Sequence, residues 1–314
     1  MRSMKGRDLI SINDLSKEEI YTFIEAAKQF KVASKLGKKT EKILEGKILA
    51  MVYEFESTRT RVGFEAAMAQ LGGHAIYLPA HTLMIAKGEP WKDTARVLSR
   101  IADGIVVRAH EHETLYEIAK YADVPVISAS TNKGHPDQTL GEFLTILEKK
   151  GRLEGLKLVY CGMTRGMCHD LLVGCPKVGM DVAIVYPEIY DIDKKILEQA
   201  YENAKETGAK VTLTHNLQEA IKDADIVYSC VLLRGKFAPE EVQKEESKID
   251  IKAYQVNAEI LKKAKDDAIV MHPGPAYRDI EITEDVLEGP RSVFFDQVEN
   301  AYHMKKAILS LILG

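Results

Sequence analysis

The sequence lacks the features that mark several classes of protein. Its formal net charge is only −4, from 43 Lys and Arg against 47 Asp and Glu, and no run of like charges forms a basic patch or an acidic tail. This balance gives no indication of nucleic-acid binding. No apolar run approaches the roughly 18 residues of a membrane span, and the start MRSMKGRDLI has no apolar segment of a secretion signal. We therefore expect no membrane partner and a cytoplasmic location.

Cysteine is also scarce. The chain has four cysteines, and none forms a CxxC pair. The spacing of Cys161, Cys168 and Cys175 matches no structural zinc site. His169, next to Cys168, keeps a metal interpretation open, but buried and reduced thiols, Cys230 included, are the interpretation that we favour. We expect no bound metal.

The length of 314 residues suggests two domains, at about 150 residues each. Short apolar, β-branched runs alternate with amphipathic helical stretches, which is typical of parallel α/β sheets covered on both faces. The predicted strands are Ile48–Phe55, His74–Leu78, Gly104–Ala109, Pro125–Ala129, Leu156–Cys161, Asp181–Tyr186, Lys210–Thr214, Ile226–Leu232 and Ala268–His272. The predicted helices are Ser57–Leu71, Trp91–Ile101, Glu113–Ala122, Thr139–Lys149, Cys168–Val178, Lys194–Thr207, Leu217–Lys222 and Val298–Leu313, and a first helix begins at a capping box of Ser16 and Glu19.

The break between the domains is predicted at residues 148–154. The long helix Thr139–Lys149 ends at Gly151, and a new series of strands and helices begins at Leu156. The predicted domains are therefore residues 1–150 and 151–297. The final amphipathic helix, residues 298–314, could pack on either of them.

The stretch FESTRTRVGFE, residues 55–65, is the most informative part of the sequence. An apolar strand runs here into a helix whose first turn carries the hydroxyls of Ser57, Thr58 and Thr60. Free backbone N–H groups and the helix dipole would favour an anion at this point. Arg59 and Arg61 could add charge-assisted hydrogen bonds. Ser and Thr also cap ordinary helices, but two interleaved arginines exceed what capping requires. The pattern favours a phosphate-type anion site.

At this stretch the sequence resembles the aspartate/ornithine carbamoyltransferase family, whose carbamoyl-phosphate loop reads S-T-R-T-R followed by an F-E pair. Four further blocks match the family in order, together with the R-x-x-x-H pattern of Arg108 and His112. The blocks are KGEPWKDTARVLSR (87–100), HPDQTLGEF (135–143), HPGPAYRDIEIT (272–283) and FFDQVENAYHMKKAIL (294–309). The chain is identified as a member of this family on these motifs.

The resemblance implies two α/β domains with the active site in the cleft between them, the last helix packed on the first domain, and no cofactor. It assigns the phosphate of carbamoyl phosphate to Ser57, Thr58, Arg59 and Thr60, its carbamoyl end to Arg108, His135 and Gln138, and further contacts to Lys87, Pro273 and Gly274. Attack by an amine places negative charge on the carbonyl oxygen and then on the departing phosphate. Thr60, Arg108 and His135 would stabilise the first charge, and Arg59 and the helix N-terminus the second.

Lys87 implies a shared active site. In the aspartate branch of the family, a lysine before G-E reaches the active site of a neighbouring subunit in a trimer. The match therefore implies a homotrimer with shared active sites. That branch also has a serine four residues earlier, where this chain has Leu83.

The features that distinguish the acceptors are mixed. The first third of the chain and its DQVEN block look like the ornithine branch, but the residues expected to recognise ornithine are absent. Its Asp is replaced by Cys230, its S-M-G loop by Leu233-Arg234-Gly235, the cysteine of H-C-L-P by Pro273, and the Arg after E-N by Ala301.

Other residues resemble the aspartate branch. His272-Pro273-Gly274-Pro275 matches its H-P-x-P, and Leu233-Arg234-Gly235-Lys236 resembles its L-R-x-Q-K, with Lys236 in place of Gln. Arg165, Arg234 and Lys236 would then bind an acceptor rich in carboxylates. We therefore favour aspartate narrowly. Ornithine, or another amine or amino acid, remains the alternative.

Two other classes of function stay open more distantly. An NAD(P)-dependent oxidoreductase could use the same architecture, but Gly162-Met-Thr-Arg-Gly166 is not the glycine fingerprint of such enzymes. An inactive relative that binds carbamoyl phosphate is the other alternative.

His110-Glu111-His112-Glu113 lacks the HExxH spacing of a zinc protease and fits a connection from strand to helix.

Overall fold

The computed structural model describes residues 4–38, 42–233 and 239–314. Its internal contacts divide the chain into two units, one of Met1–Leu144 with Val298–Gly314 and the other of Thr145–Gln297. Each unit is built on one sheet whose strands all pair in parallel. The predicted fold class, two α/β domains with parallel sheets, is confirmed.

The first unit carries a four-stranded sheet in the order β2-β1-β3-β4. Its strands are β1 (Ile48–Tyr53), β2 (His74–Pro79), β3 (Gly104–Arg108) and β4 (Val126–Ser128). Its helices are α1 (Lys17–Lys35), α2 (Thr58–Gln70), α3 (Trp91–Ser99), α4 (His112–Tyr121) and the start of α5 (Pro136–Lys150), with short 3-10 helices at Ile12–Asp14, Ala80–Thr82 and Met84–Lys87. β1 and β3 are apolar and almost wholly buried, as expected of central strands covered on both faces.

The second unit carries a five-stranded sheet in the order β7-β6-β5-β8-β9. Its strands are β5 (Lys157–Cys161), β6 (Asp181–Val185), β7 (Val211–Thr214), β8 (Ile226–Ser229) and β9 (Ile269–Met271). Its helices are α6 (Met167–Lys177), α7 (Lys194–Thr207), α8 (Leu217–Ala220), α9 (Glu240–Glu246), α10 (Ile251–Tyr254), α11 (Ala258–Leu261) and α12 (Glu284–Leu287). The core lies beneath the sheet, where Val159, Val227 and Val270 meet residues of the short helices.

The last helix, α13 (Phe294–Leu313), lies in the first unit from Val298 onward. Its buried contacts there are polar as well as apolar: the Lys31 Nζ on α1 donates to the Asn300 Oδ1 over 2.6 Å. Among the described residues, no helix is both long enough and apolar enough to cross a membrane.

The local signals that start helices act as the sequence predicts. Ser16 caps α1, and the backbone N–H of Glu19 donates to its hydroxyl while the Glu19 side chain accepts from the Ser16 N–H. The four cysteines are buried and form no disulfide, and burial raises the pKa of the Cys161, Cys168 and Cys175 thiols. The prediction of buried, reduced thiols is therefore confirmed.

Candidate active site

The topology of the first sheet fixes where a ligand can bind. The chain moves from β1 outward to β2, then crosses back to β3 and on to β4, so the strand order reverses between β1 and β3. Tyr53 and Arg108, the last residues of these two strands, are paired neighbours. Ligands of open α/β sheets bind beyond the carboxyl ends of the strands at such a reversal. The anion motif after β1 and Arg108 of β3 therefore belong to one site.

The N-terminus of α2 is the candidate anion-binding part of this site. The Ser57 Oγ caps the helix by accepting from the Thr60 backbone N–H over 3.3 Å. Thr58 and Arg59 occupy the exposed first turn, and Thr60 is buried beneath it. The first N–H groups of a helix lack partners within it and carry the positive end of its dipole. This turn therefore presents hydroxyls, N–H groups and a guanidinium to a single anion.

The two arginines of the motif differ in their surroundings. The Arg61 Nε donates to the Glu65 Oε1 over 3.0 Å, and its guanidinium lies 3.6 Å from the centre of the Tyr77 ring. No described residue forms a hydrogen bond or ion pair with Arg59, which lines a cavity instead. Arg59 is therefore the arginine that is available to a ligand, and Arg61 is held on the helix surface.

Arg108 is a buried cation with capacity left for a ligand. Its Nη1 donates to the Ala129 carbonyl over 2.9 Å, and its guanidinium lies 4.2 Å from the centre of the Phe55 ring. Within the described part of the chain, its buried Nε has no hydrogen-bond partner. Burial lowers the pKa of Arg108 to about 10, which still leaves it charged at neutral pH. A buried guanidinium with an unused donor suits an oxyanion.

His135 lies in a buried chain of charged groups just before α5. Its Nδ1 is 2.5 Å from the Asp137 Oδ1, and the Asp137 Oδ2 is 2.9 Å from the Nζ of Lys305 on α13. Burial alone would raise the pKa of Asp137, but His135 and Lys305 hold it well below its usual value. Burial lowers the pKa of His135. The buried Asp137 carboxylate therefore has the His135 ring on one oxygen and the Lys305 ammonium on the other.

Gln138 is oriented by its neighbour one turn later. Its Nε2 donates to the Glu142 Oε1 over 2.7 Å, in a buried hydrogen bond. Because a carboxylate can only accept, the amide nitrogen must face Glu142. The Gln138 oxygen is then the atom that can accept an N–H from a ligand.

A cavity of about 440 Å³ adjoins part of this site. It is formed by α2, α5 and α13 and is lined by Thr58, Arg59, Val62, Gly63, Ala66, Gln138, Val298, Ala301, Tyr302 and Lys305. Three of the predicted donor residues, Thr58, Arg59 and Gln138, thus open on one space.

Two residues that support the site were not assigned this role from the sequence. The His112 Nδ1 lies 2.9 Å from the Thr131 Oγ1, and the His112 N–H donates to the Asn132 Oδ1 over 3.0 Å. His112 thereby holds the loop that leads to His135. Phe55 carries Arg108 on its ring, and the ring of His110 stacks on Phe55 with centroids 4.8 Å apart. The R-x-x-x-H spacing was the available signal for His112.

The remaining predicted site residues belong to other segments of the chain. Lys87 is exposed at the end of a 3-10 helix and forms no hydrogen bond or ion pair with a described residue. In the second unit, Pro273 and Gly274 follow β9, and Arg165 is exposed in the turn before α6. Arg234 and Lys236 lie outside the described residues.

The HPGP turn of the second unit is organised by a buried pair. His272 Nδ1 accepts from the Gly274 N–H over 2.8 Å, so its Nε2 carries the proton that faces the Glu281 Oε1 at 3.2 Å. The same Glu281 oxygen accepts from the Tyr277 N–H over 2.6 Å. His272 and Glu281 are both about 1% exposed. The histidine of the H-P-x-P motif therefore holds this turn in shape.

Comparison with known proteins shows similarity to the aspartate/ornithine carbamoyltransferase family in both halves of the chain. The family model described as aspartate/ornithine carbamoyltransferase, carbamoyl-P binding domain, matches residues 7–148, and the model of the Asp/Orn binding domain matches residues 154–312. The ornithine carbamoyltransferase of Pyrococcus horikoshii is 46% identical, over 99% of this chain and 97% of that protein. That of Bacillus subtilis is 42% identical, over 99% of this chain and 95% of that protein.

Solved structures agree. The ornithine carbamoyltransferase from Pyrococcus furiosus is 44% identical and superposes with a TM-score of 0.95, covering 100% of this chain and 99% of that one. The aspartate transcarbamoylase from Trypanosoma cruzi in complex with carbamoyl phosphate is 28% identical, with a TM-score of 0.89 and coverage of 99% and 97%.

These relatives overturn the prediction of aspartate as the acceptor. Relatives at 43–46% identity over almost the whole chain are named ornithine carbamoyltransferases, so the preference for aspartate was wrong. The structure explains the error in part. The H-P-x-P match was counted towards aspartate, yet His272 is buried and bonded within its own turn. The H-P-x-P motif therefore indicates how that turn folds and does not indicate the charge of the acceptor.

The family motifs occur in order, the relatives cover almost the whole chain, and the geometry near α2 and Arg108 suits carbamoyl phosphate. Together these observations assign the chain to one family. The same findings replace the oxidoreductase alternative, since the matched relatives are carbamoyltransferases. The chain is an enzyme of the aspartate/ornithine carbamoyltransferase family.

Proposed function

We propose that the protein transfers the carbamoyl group of carbamoyl phosphate to the side-chain amine of ornithine and releases phosphate. The observation that carries the donor half is the anion-binding turn of α2 next to the buried Arg108, at the strand reversal of the first sheet. The names of the relatives at 42–46% identity support ornithine as the acceptor.

The donor residues suit the charges of this reaction. The phosphate would be held at the α2 N-terminus by Ser57, Thr58, Arg59 and Thr60. Arg108 would stabilise the negative charge that develops on the carbonyl oxygen. The Gln138 oxygen would accept a carbamoyl N–H.

The chemical step then requires no nucleophile from the protein. The amine lone pair forms the new C–N bond, and the C–O bond to phosphate breaks. The departing phosphate takes the electron pair and the amine proton. Catalysis would rest on positioning and on preorganised charge.

Acceptor binding belongs, in this proposal, to the second unit. Its strand order reverses between β5 and β8, so a ligand would bind beyond their carboxyl ends, near Arg165 and Cys230. The family model matched here is that of the Asp/Orn binding domain. Pro273 and Gly274 would add contacts from the turn after β9. Arg234 and Lys236 keep their predicted role as acceptor-binding residues.

A different small amine or amino acid is the second candidate acceptor, and Cys230 favours it. This residue stands where the ornithine branch has the Asp that grips the amino acid. It is buried, and a Cβ added to Gly162 would lie 2.9 Å from the Cys230 Cβ. A packed thiol offers no charge to the ammonium group of ornithine.

The experiment is an acceptor panel. Phosphate release from carbamoyl phosphate is measured with ornithine, lysine, 2,4-diaminobutyrate, putrescine and glycine, and the products are identified by mass spectrometry. We expect kcat/KM for ornithine to exceed that of every other acceptor by at least about tenfold. A higher value for another amine would replace the acceptor and keep the donor chemistry. No release with any of them would indicate an inactive relative that only binds.

The assembly and location follow the same proposal. The exposed Lys87 would complete the site of a neighbouring subunit in a homotrimer, and the cytoplasm is the proposed compartment. Its partners would be the two small-molecule substrates, with no cofactor.

A further inference from the structure

Four contacts tie the segment after β1 to the segment after β3. The Glu54 N–H donates to the Arg108 carbonyl over 2.8 Å, and the Glu54 Oε2 accepts from the His110 N–H over 2.6 Å. The next residue, Phe55, contacts the side chains at both ends of the second segment. The guanidinium carbon of Arg108 lies 4.2 Å from the centre of the Phe55 ring, and the His110 ring stacks on Phe55 with centroids 4.8 Å apart. Two consecutive residues therefore hold residues 108–110 in place.

The Phe55 ring restrains Arg108 in a way that hydrogen bonds alone do not. The Nη1 of Arg108 donates to the Ala129 carbonyl over 2.9 Å, which holds one corner of the guanidinium. A guanidinium is planar and is attracted to the face of an aromatic ring, so the ring restricts the orientation of that plane. The buried Nε of Arg108 has no hydrogen-bond partner among the residues that the structure describes. The contact with Phe55 thus gives this unused donor a fixed direction.

Phe55 also lies next to the anion-binding turn. Ser57, the cap of α2, is two residues later, and Arg59 lies in the first turn of that helix. Arg59 and Arg108 are within electrostatic reach of each other: burial lowers the pKa of Arg108 most, and the charge of Arg59 lowers it further. A change in the position of Phe55 would therefore change the offset between Arg108 and the turn.

We propose that Phe55 is a positioning residue that sets the specificity of the donor site. Its ring holds Arg108 at the offset from the anion-binding turn that suits a carbonyl group attached to a phosphate. The site then selects a carbonyl-bearing phosphate over phosphate alone, so the donor binds more tightly than the phosphate that it releases. This inference rests on the proposed function, which assigns the phosphate to the turn and the carbonyl oxygen to Arg108.

Two ligands that cannot transfer a carbamoyl group separate the two parts of the donor site. Inorganic phosphate can occupy only the turn, whereas phosphonoacetamide carries a phosphonate and a carboxamide and can reach Arg108 as well. Their dissociation constants are measured by isothermal titration calorimetry on the full-length protein, without an acceptor. In the unmodified protein we expect phosphonoacetamide to bind at least about tenfold more tightly than phosphate.

Phe55→Leu keeps an apolar side chain but removes the aromatic face. We expect the Kd of phosphonoacetamide to rise about tenfold or more, while the Kd of phosphate stays within about twofold of its original value. Phe55→Tyr keeps the face and should keep the Kd of phosphonoacetamide within about twofold of that of the unmodified protein. In an Arg108→Met background, Phe55→Leu should weaken phosphonoacetamide by less than about twofold, because the cation that the ring positions is gone.

His110→Ala tests the same contacts from their exposed side. The substitution removes the ring that stacks on Phe55 and leaves the backbone N–H that Glu54 accepts. It should raise the Kd of phosphonoacetamide about threefold and leave that of phosphate unchanged. If Phe55→Leu does not fold, His110→Ala decides in its place.

Tyr77→Leu is the matched control. The guanidinium carbon of Arg61 lies 3.6 Å from the centre of the Tyr77 ring, which is the same kind of contact on an arginine that Glu65 holds on the helix surface. Its loss should leave both dissociation constants within about twofold of those of the unmodified protein.

Equal weakening of both ligands in Phe55→Leu would overturn the proposal, because the ring would then support the turn as a whole. An unchanged Kd of phosphonoacetamide in Phe55→Leu, or an equal rise in Tyr77→Leu, would overturn it as well. A protein that shows the expected binding but transfers no carbamoyl group to any acceptor would refute the proposed function and leave the positioning of Arg108 intact.

Discussion

Arg59→Met is expected to lower kcat/KM for carbamoyl phosphate by about 100- to 1000-fold, with little effect on folding. Arg59 lies in the exposed first turn of α2, and no described residue pairs with its guanidinium. Its charge is therefore available to the phosphate, both when carbamoyl phosphate binds and when the phosphate departs. Methionine keeps the length and apolar stem of the side chain but removes the charge. Initial rates at saturating ornithine measure the effect.

Arg61→Met is the control for this substitution. Arg61 lies two residues later on the same helix, and Glu65 and Tyr77 hold it on the surface. An exposed pair of this kind contributes little to stability, so activity should stay within about twofold of the unmodified protein. If the two variants lose activity equally, Arg59 has no special role and the anion-binding turn is misassigned.

Glu281→Ala should destabilise the protein by about 3 kcal/mol, the largest stability effect that we expect from one side chain. The substitution removes the acceptor of both the His272 ring and the Tyr277 N–H at a buried position. It also frees the HPGP turn, so acceptor-dependent turnover should fall with stability. Urea denaturation followed by circular dichroism measures the shift in the transition.

Two further substitutions serve as controls for Glu281→Ala. Glu281→Gln keeps an oxygen for both donors and should lose less than half as much stability. Glu288→Ala removes only an exposed partner of Arg278, at 2.8 Å, and should cost about 0.5 kcal/mol or less. Equal losses in Glu281→Ala and Glu288→Ala would show that the buried pair does not hold the turn.

The fold was predictable because the strands are short, mostly apolar runs that alternate with amphipathic helices along the chain. Every predicted strand is present, with ends shifted by a few residues: Asp181–Tyr186 was predicted and β6 ends at Val185. The short helices α9 to α12 were not predicted. With four to seven residues each, they are too short for a helical period to show, and tertiary packing rather than propensity stabilises them.

The sequence indicates the candidate site only where a local motif carries the chemistry. Residue types alone point to Ser57–Thr60 as a candidate anion-binding turn, and the resemblance added Arg108, His135 and Gln138 as candidates. The pairing of Asp137 with Lys305 could not be predicted, because 168 positions separate them and only the fold brings them together. The acceptor was misjudged in part because a turn held by His272 and Glu281 was taken as a sign of specificity.

The most direct test follows the carbamoyl carbon itself. The protein is mixed with carbon-13-labelled carbamoyl phosphate and ornithine, and the labelled carbon is followed by NMR while phosphate is assayed in parallel. We expect the label to appear as the ureido carbon of citrulline, with one phosphate released for each carbon transferred. Label that appears only as the breakdown products of free carbamoyl phosphate, at the rate seen without protein, would contradict carbamoyl transfer to ornithine.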